Sequence, residues 1–311
     1  MRIPLISLFF DFLHGNRGIM FNARSIIRTL SIKIGERSPR MHENLEKSRK
    51  FIVGKFIEYG GAPVEETYML QKREYANIIA EIPAKSKKKN PGIILVGAHY
   101  DTVEGSCGAN DNASGMAALL EIFRILSSHR YLRTIRFVAF TLEEPPHFNS
   151  ETMGSMVHAS GYRRSKEKIA MMISLDMLGF GGLFVKQQYP TEDMKKRFPD
   201  KGDFLTIAAL PSHATYAYAF KKAFNHHCKS KEKIHDVVAP ASVHGVNCSD
   251  HLSFHRYGIP AILVSDTGHY RNENYHTCND TENTINYRFL SRNIQKLAEA
   301  IQEVANKHDI P

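Results

Sequence analysis

The chain of 311 residues lacks any apolar run approaching the roughly 20 residues that a membrane-spanning helix requires. It is poor in cysteine. Cys107, Cys228, Cys248 and Cys278 are far apart and form no C-x-x-C pair, which argues against a structural zinc knuckle. A chain of this length needs no disulfides to build a core, and the sequence leaves their pairing open. Also missing are an internal repeat, a low-complexity tract and a linker that would divide the chain. The formal charge is +9, partly carried by Lys85–Lys89, Arg163–Lys166 and Lys195–Arg197. These read as solvated loops. A basic face with interleaved aromatics, the mark of nucleic-acid binding, is absent, although a modest preference for acidic partners stays open. The N-terminal run from Met1 to Phe10 is interrupted by Asp11, and no clean small-x-small cleavage site follows. This favours a cytoplasmic chain over an exported one.

What is present is an alternation of strand and helix patterns. Val64–Leu70, Glu74–Ile82, Ile93–Gly97, Thr134–Phe140, Ile169–Leu175, Phe204–Ala208 and Ile259–Val264 read as strands. Helical spacing of apolar residues covers Arg24–Ile34, Asn44–Tyr59, Met116–Ser127, Ala214–Phe224 and Tyr287–Ala305, with a short segment at Gly154–His158. Gly60-Gly61 closes the second of these helices. The alternation predicts a three-layer α/β/α sandwich around a mostly parallel mixed sheet.

Chemistry gathers where these strands end. His99 closes the first continuous apolar strand and Asp111 lies in the turn that follows. Glu143-Glu144 follow the next strand and Asp176 another; His276 lies in the loop after the last. Strand ends on open α/β sheets are where ligands bind. Each residue alone has a plain structural reading: a hydrogen-bonded histidine, a solvated Glu-Glu pair, an Asp capping a turn. Together they make that reading untenable. Carboxylates brought side by side repel unless cations or protons neutralise them. Two histidines among them favour cations, since imidazole and carboxylate are the ligands of zinc, manganese and cobalt hydrolase sites.

His99-Tyr100-Asp101, Gly108 to Gly115, Glu143-Glu144, Ser174 to Met177 and Tyr275-His276-Thr277 match in order the pattern of the two-zinc aminopeptidases. This is the metallopeptidase family of bacterial leucyl aminopeptidase, aminopeptidase Y and the glutamate carboxypeptidase catalytic domain. Ser249 to Phe254, Gly258 to Ala261 and Tyr270-Arg271-Asn272 also resemble it, and the resemblance spans about residues 36 to 308. It implies a metallopeptidase domain over residues 36–311, preceded by an extension at 1–35 that is either a weak signal or a packing helix. It implies two divalent ions, Zn2+ by preference. Asp111 would bridge them, His99 and Asp176 would complete one, and Glu144 and His276 the other. Glu143 would be the general base and Asp101 would orient His99 without touching metal. The resemblance also implies a cis peptide between Asp111 and Asn112.

Each role has a physical rationale. Two ions about 3.5–4 Å apart need a shared carboxylate. A histidine ligand needs a carboxylate on its other nitrogen, and Asp101 is the nearest in sequence. Adjacent residues in extended backbone point to opposite sides, so only one of Glu143 and Glu144 should enter the metal shell directly. The expected activity is hydrolysis of the N-terminal residue of a peptide. The alternatives are a single-zinc glutaminyl-peptide cyclotransferase, a carboxypeptidase of the glutamate type and a receptor-like domain that has lost catalysis. Retention of all six residues speaks against the last, and no arginine is assignable to a C-terminal carboxylate. The stretch Pro145 to Met153 is longer than in most relatives and is expected beside the substrate cleft. Asp250-His251 read as a buried pair below the site or a substrate contact. His147, His244, His255 and His269 read as surface or packing residues, and Cys278 as packing behind His276. Side-chain preference and oligomeric state stay open.

Overall fold

The computed structural model describes residues 5–86, 91–163, 165, 167–226 and 233–310; Met1 to Pro4, Lys87 to Lys89, Arg164, Lys166 and Cys228 lie outside them. An eight-stranded sheet forms the middle layer. Its strands are β1 (Val64–Leu70), β2 (Arg73–Ile82), β3 (Ile93–His99), β4 (Thr134–Phe140), β5 (Ile169–Leu175), β6 (Phe204–Ala209), β7 (Lys233–Val238) and β8 (Ala261–Ser265). The order is β1-β2-β4-β3-β5-β8-β6-β7. The central strands β4, β3, β5 and β8 run parallel, as do β6 and β7. The hairpin β1–β2 and the junctions β2–β4 and β6–β8 are antiparallel.

The helices are α1 (Leu5–Arg28), α2 (His42–Glu58), α3 (Ala113–Leu126), α4 (Gly154–Gly161), α5 (Glu192–Arg197), α6 (Ala214–His226), α7 (His251–Arg256) and α8 (Tyr287–Ala305). Side chains alternate across the parallel strands. Ile94, Val96 and Ala98 of β3 join one core with residues of α1, α2, α3, α6 and α8, while Ile93 and Leu95 face a second core with Ala159 of α4 and Phe254 of α7. The expected three-layer sandwich is therefore present. No helix among the described residues is long and apolar enough to cross a membrane.

Three short elements escaped the sequence reading. β7 is an edge strand whose Lys233, His235 and Asp236 mask its single deeply buried residue, Ile234. The helices α5 and α7 have six residues each, too few to show a period. The helix α3 begins at Ala113 rather than Met116, because the Asn112 side chain caps it by accepting from the Gly115 N–H.

The segment ahead of residue 36 is helical from Leu5, and its Ile19, Ala23, Ile26, Ile27 and Leu30 are buried in the main core. Arg37 fastens this segment to the loop after β3. It is fully buried and donates to the carbonyls of Leu30, Gly35, Tyr100, Cys107 and Gly108. Burial pushes its pKa down to about 10, yet five carbonyl partners keep the guanidinium satisfied. Unpaired buried carbonyls cost about 1–3 kcal/mol each before water relieves them. Arg37→Met should therefore lower stability by about 3 kcal/mol, read as a thermal midpoint roughly 6–10 °C lower. Arg37→Lys should recover little, because one ammonium cannot reproduce the planar fork.

Candidate metal centre

All six expected residues converge at the C-terminal ends of the parallel strands. His99 is the last residue of β3, and Asp111 sits in the turn before α3. Glu143 and Glu144 follow β4, Asp176 follows β5, and His276 lies in the long loop after β8. His99 Nε2 is 3.3 Å from Asp111 Oδ1, 3.6 Å from Asp176 Oδ1 and 3.9 Å from Glu143 Oε2. His276 Nε2 is 3.2 Å from Asp111 Oδ2 and 3.2 Å from Glu144 Oε2. Asp111 thus turns one oxygen to each histidine. The Asp111–Asn112 peptide is cis, as the resemblance implied.

The backbone is unusual where the ligands are aimed. Leu142 before Glu143, Met177 after Asp176 and His276 itself all have positive φ, at 56°, 55° and 59°. Non-glycine residues there are uncommon and concentrate at functional sites. The turn at Leu142 redirects the chain after β4, so that Glu144 reaches His276 while Glu143 faces His99.

Asp101 does more than was expected of it. Its Oδ1 lies 3.5 Å from His99 Nδ1 and also accepts from the Glu143 N–H at 3.1 Å. Its Oδ2 accepts from the Glu144 N–H at 3.0 Å. One carboxylate therefore faces a histidine and holds the backbone of both glutamates.

Of the residues that support the site, Asp280 and Asp266 carried no signal in the sequence, whereas Asn110, Asn112, Gly115 and Tyr275 lie in the matched motifs. Asp280 accepts from the backbone N–H groups of Asn110 and Asp111, both at 2.9 Å. Asp266 accepts from Asn110 Nδ2 at 3.0 Å, and Asn110 Oδ1 accepts from the Gly179 N–H. Asn112 donates to the Leu175 carbonyl and accepts from the Met177 N–H. The turns bearing Asp111 and Asp176 are thereby locked together. Gly115 is required at this junction, since a Cβ there would lie 2.2 Å from Asn112 Oδ1 and 2.5 Å from the Leu175 carbonyl. Tyr275 stacks on His276, with ring centroids 3.7 Å apart.

The site carries a charge problem. Asp111, Glu143, Glu144 and Asp176 are each at most 5% exposed. Burial, with repulsion from Asp111, pushes Glu144 up to about 8. Burial also raises Glu143 well above the usual carboxylate range, against the pull of His99 and with help from Glu144 and Asp176. Burial disfavours the charged form of both histidines, yet the surrounding carboxylates override it, taking His276 to about 10 and His99 well above its ordinary value. Protons must serve as the counter-charge unless cations replace them. Among the described residues, His99 Nε2, His276 Nε2, Glu144 Oε1 and Asp176 Oδ1 are buried without a hydrogen-bond partner. Lone pairs this close, buried and unpaired, fit metal ions placed between them. His99 with Asp111 and Asp176 forms one compact donor group, and Asp111 with Glu144 and His276 a second; His99, Glu143 and Glu144 also cluster.

A cleft of about 250 Å³ opens beside these groups. Asp111, Glu143, Glu144, Asp176 and His276 form one end, and Val237, Val243, Val246 and Leu263 contribute an apolar wall. Pro145 and Phe148 line it too, so the Pro145–Met153 stretch does border the cleft. One expectation needs correction. Cys278 is exposed rather than packed behind His276. His244 is exposed and His269 half-buried, as the surface or packing reading expected, and both also line the cleft. His147 and His255 are half-buried packing residues, as expected. Asp250 and His251 are fully buried beneath the site.

Comparison with known proteins decides the family. A model described as Peptidase family M28 matches residues 77–301. The chain belongs to peptidase family M28. The resemblance read from the two-zinc aminopeptidase motifs therefore holds. Among relatives of this M28 peptidase, the uncharacterized protein YfbL of Escherichia coli K12 is 32% identical over 289 residues, covering 89% of this chain and 84% of that protein. Leucine aminopeptidase 1 of Blastomyces gilchristii is 24% identical over 230 residues, or 69% of this chain; the chain spans about half that protein's length (52%). The solved zinc aminopeptidase BSAP of Bacillus subtilis superposes with a TM-score of 0.71 at 17% identity, covering 94% of this chain and 96% of that one. Porphyromonas gingivalis glutaminyl cyclase gives 0.62 at 21% identity, covering 92% and 98%. At such identities both structures show the M28 peptidase's fold.

Proposed function

We propose that the chain is a zinc-dependent aminopeptidase that hydrolyses the N-terminal residue of peptides. The observation that carries this reading is the pair of donor groups meeting at Asp111, each with a histidine and a second carboxylate. His99 and Asp176 would hold one ion, Glu144 and His276 the other, with Asp111 serving both groups. Imidazole and carboxylate donors suit Zn2+, and relatives named as leucine and zinc aminopeptidases support it.

Bound there, the metal pair supplies Lewis acidity, acidifying a water and polarising the scissile carbonyl. The rest is the chain's own work. Glu143 takes the water's proton on a carboxylate oxygen and delivers it to the leaving amine nitrogen as the C–N bond breaks. Asp101 fixes the Glu143 and Glu144 backbones, so that the Glu143 side chain is free for this task while that of Glu144 would serve as a metal ligand. The apolar wall around Val243, Val246 and Leu263 excludes water and suits an apolar N-terminal side chain.

A cyclotransferase with one zinc is the second reading, favoured by the glutaminyl cyclase fold. It needs only one of the two donor groups, whereas both are complete here. Elemental analysis together with a panel of aminoacyl chromogenic substrates and their N-acetylated forms separates the two. About two zinc ions per chain and cleavage of leucyl over lysyl and N-blocked substrates are expected. One tightly held ion with cyclisation of N-terminal glutamine would overturn the aminopeptidase reading.

A further inference from the structure

Along the cleft from Asp111, two further histidines meet. His244 Nδ1 lies 3.1 Å from His269 Nε2, with ring centroids 4.6 Å apart and planes at 69°. Neither belongs to the donor groups around Asp111. Two nitrogen ligands of one tetrahedral zinc stand about 3.3 Å apart when each bond is near 2.0–2.1 Å. The observed 3.1 Å is the N–H···N hydrogen bond of the ion-free pair and falls slightly short of that edge, so zinc would replace the shared proton with little movement of the rings. His244 is exposed and His269 half-buried, so an ion can reach the pair from solvent, with water completing its shell. Burial, with His244 and His276 nearby, holds His269 below its ordinary pKa, which keeps it neutral as a metal ligand must be.

The location gives the pair a consequence. Both rings line the cleft. His269 packs on Tyr270 at 4.0 Å and lies 5.6 Å from Tyr275, the ring that stacks on His276. The Tyr270 hydroxyl stands 3.4 Å from the same His244 nitrogen. An ion held here sits in an aromatic row that leads to the catalytic end of the cleft.

We propose that His244 and His269 form a separate, loosely held zinc site whose occupancy obstructs peptide access to the cleft. The obstruction rests on the aminopeptidase reading; the zinc site does not. With only two protein ligands it fills when zinc exceeds what the donor groups around Asp111 retain.

The test is a calorimetric titration of ZnCl2 into the zinc-loaded, dialysed enzyme, with a parallel assay on leucine p-nitroanilide at rising zinc. The wild type should bind one further ion, with turnover falling as it fills. His244→Ala, at an exposed position, should lose that ion and need at least tenfold more zinc for half-inhibition; His269→Ala should behave alike. Absence of a further ion in the wild type, or its retention in His244→Ala, would overturn the site. Binding without loss of turnover would overturn the obstruction and leave the ion. A chain that takes up the ion but cleaves no aminoacyl substrate would count against the aminopeptidase reading alone.

Discussion

Asp111→Ala should empty both metal positions, whereas His99→Ala should empty one. Asp111 belongs both to the donor group it forms with His99 and Asp176 and to the one it forms with Glu144 and His276. Its oxygens lie 3.3 Å from His99 Nε2 and 3.2 Å from His276 Nε2, one facing each side. Removing it leaves one histidine and one carboxylate on either side, too few to retain zinc tightly. Removing His99 spares Asp111, Glu144 and His276. Elemental analysis after dialysis should return close to zero ions per chain for Asp111→Ala and close to one for His99→Ala. The kcat/KM of Asp111→Ala should fall by at least about 10³-fold, or roughly 4 kcal/mol of transition-state stabilisation. Retention of two ions in Asp111→Ala would remove it as the shared ligand. Circular dichroism keeps the result interpretable, because the Asp111 backbone is anchored independently by Asp280.

The residues that meet at Asp111 were legible because each follows an apolar strand, and parallel strands deliver their C-terminal ends to one rim. Order along the chain was therefore enough to bring them together. Not all of the residues that hold them in place were legible. Asp280 acts on the backbone of Asn110 and Asp111, far away in sequence, and nothing local distinguishes it from a loop Asp. Arg37, between Gly35 and Pro39, has nothing local that marks it as structural, yet it is buried on five carbonyls. Such roles depend on which backbone groups the fold leaves without partners, which only tertiary packing decides.

The same contrast explains the N-terminal segment and the cleft. Ile26, Ile27, Leu30 and Ile34 already showed a helical face, but its partner could not be named. The structure supplies α3 and α8 as neighbours, with Glu282 receiving Arg24 and Arg28 at 2.9 and 3.1 Å. Glu282 follows His276 by six residues. The N-terminal helix thus braces the loop that carries a proposed ligand, and Arg37 braces the loop that carries another. Histidines 244 and 269 looked unremarkable because cleft walls are assembled from loops, where no period marks the inward side.

Glu143→Gln should keep both ions and lose most turnover. Glutamine has the shape of glutamate but cannot take up a proton, so the substitution isolates proton transfer from geometry. Glu143 is suited to that task. It is 4% exposed, lies 3.9 Å from His99 Nε2, and its backbone is held by Asp101. Burial raises its proton affinity, as do Glu144 and Asp176, although His99 opposes them. A base must be ionised to take the water's proton before passing it to the leaving amine, and cations held by the neighbouring donor groups would offset this repulsion and favour the carboxylate. The expected kcat is lower by roughly 10²–10⁴-fold with KM little changed. The competing role is visible in the structure, since Glu143 also clusters with His99 and Glu144. If Glu143 were a ligand, the amide would weaken metal binding, and dialysed Glu143→Gln would hold one ion rather than two. Metal content and kcat measured on the same preparation therefore decide between base and ligand: two ions with depressed turnover assign the proton to Glu143, and one ion moves it into the metal shell.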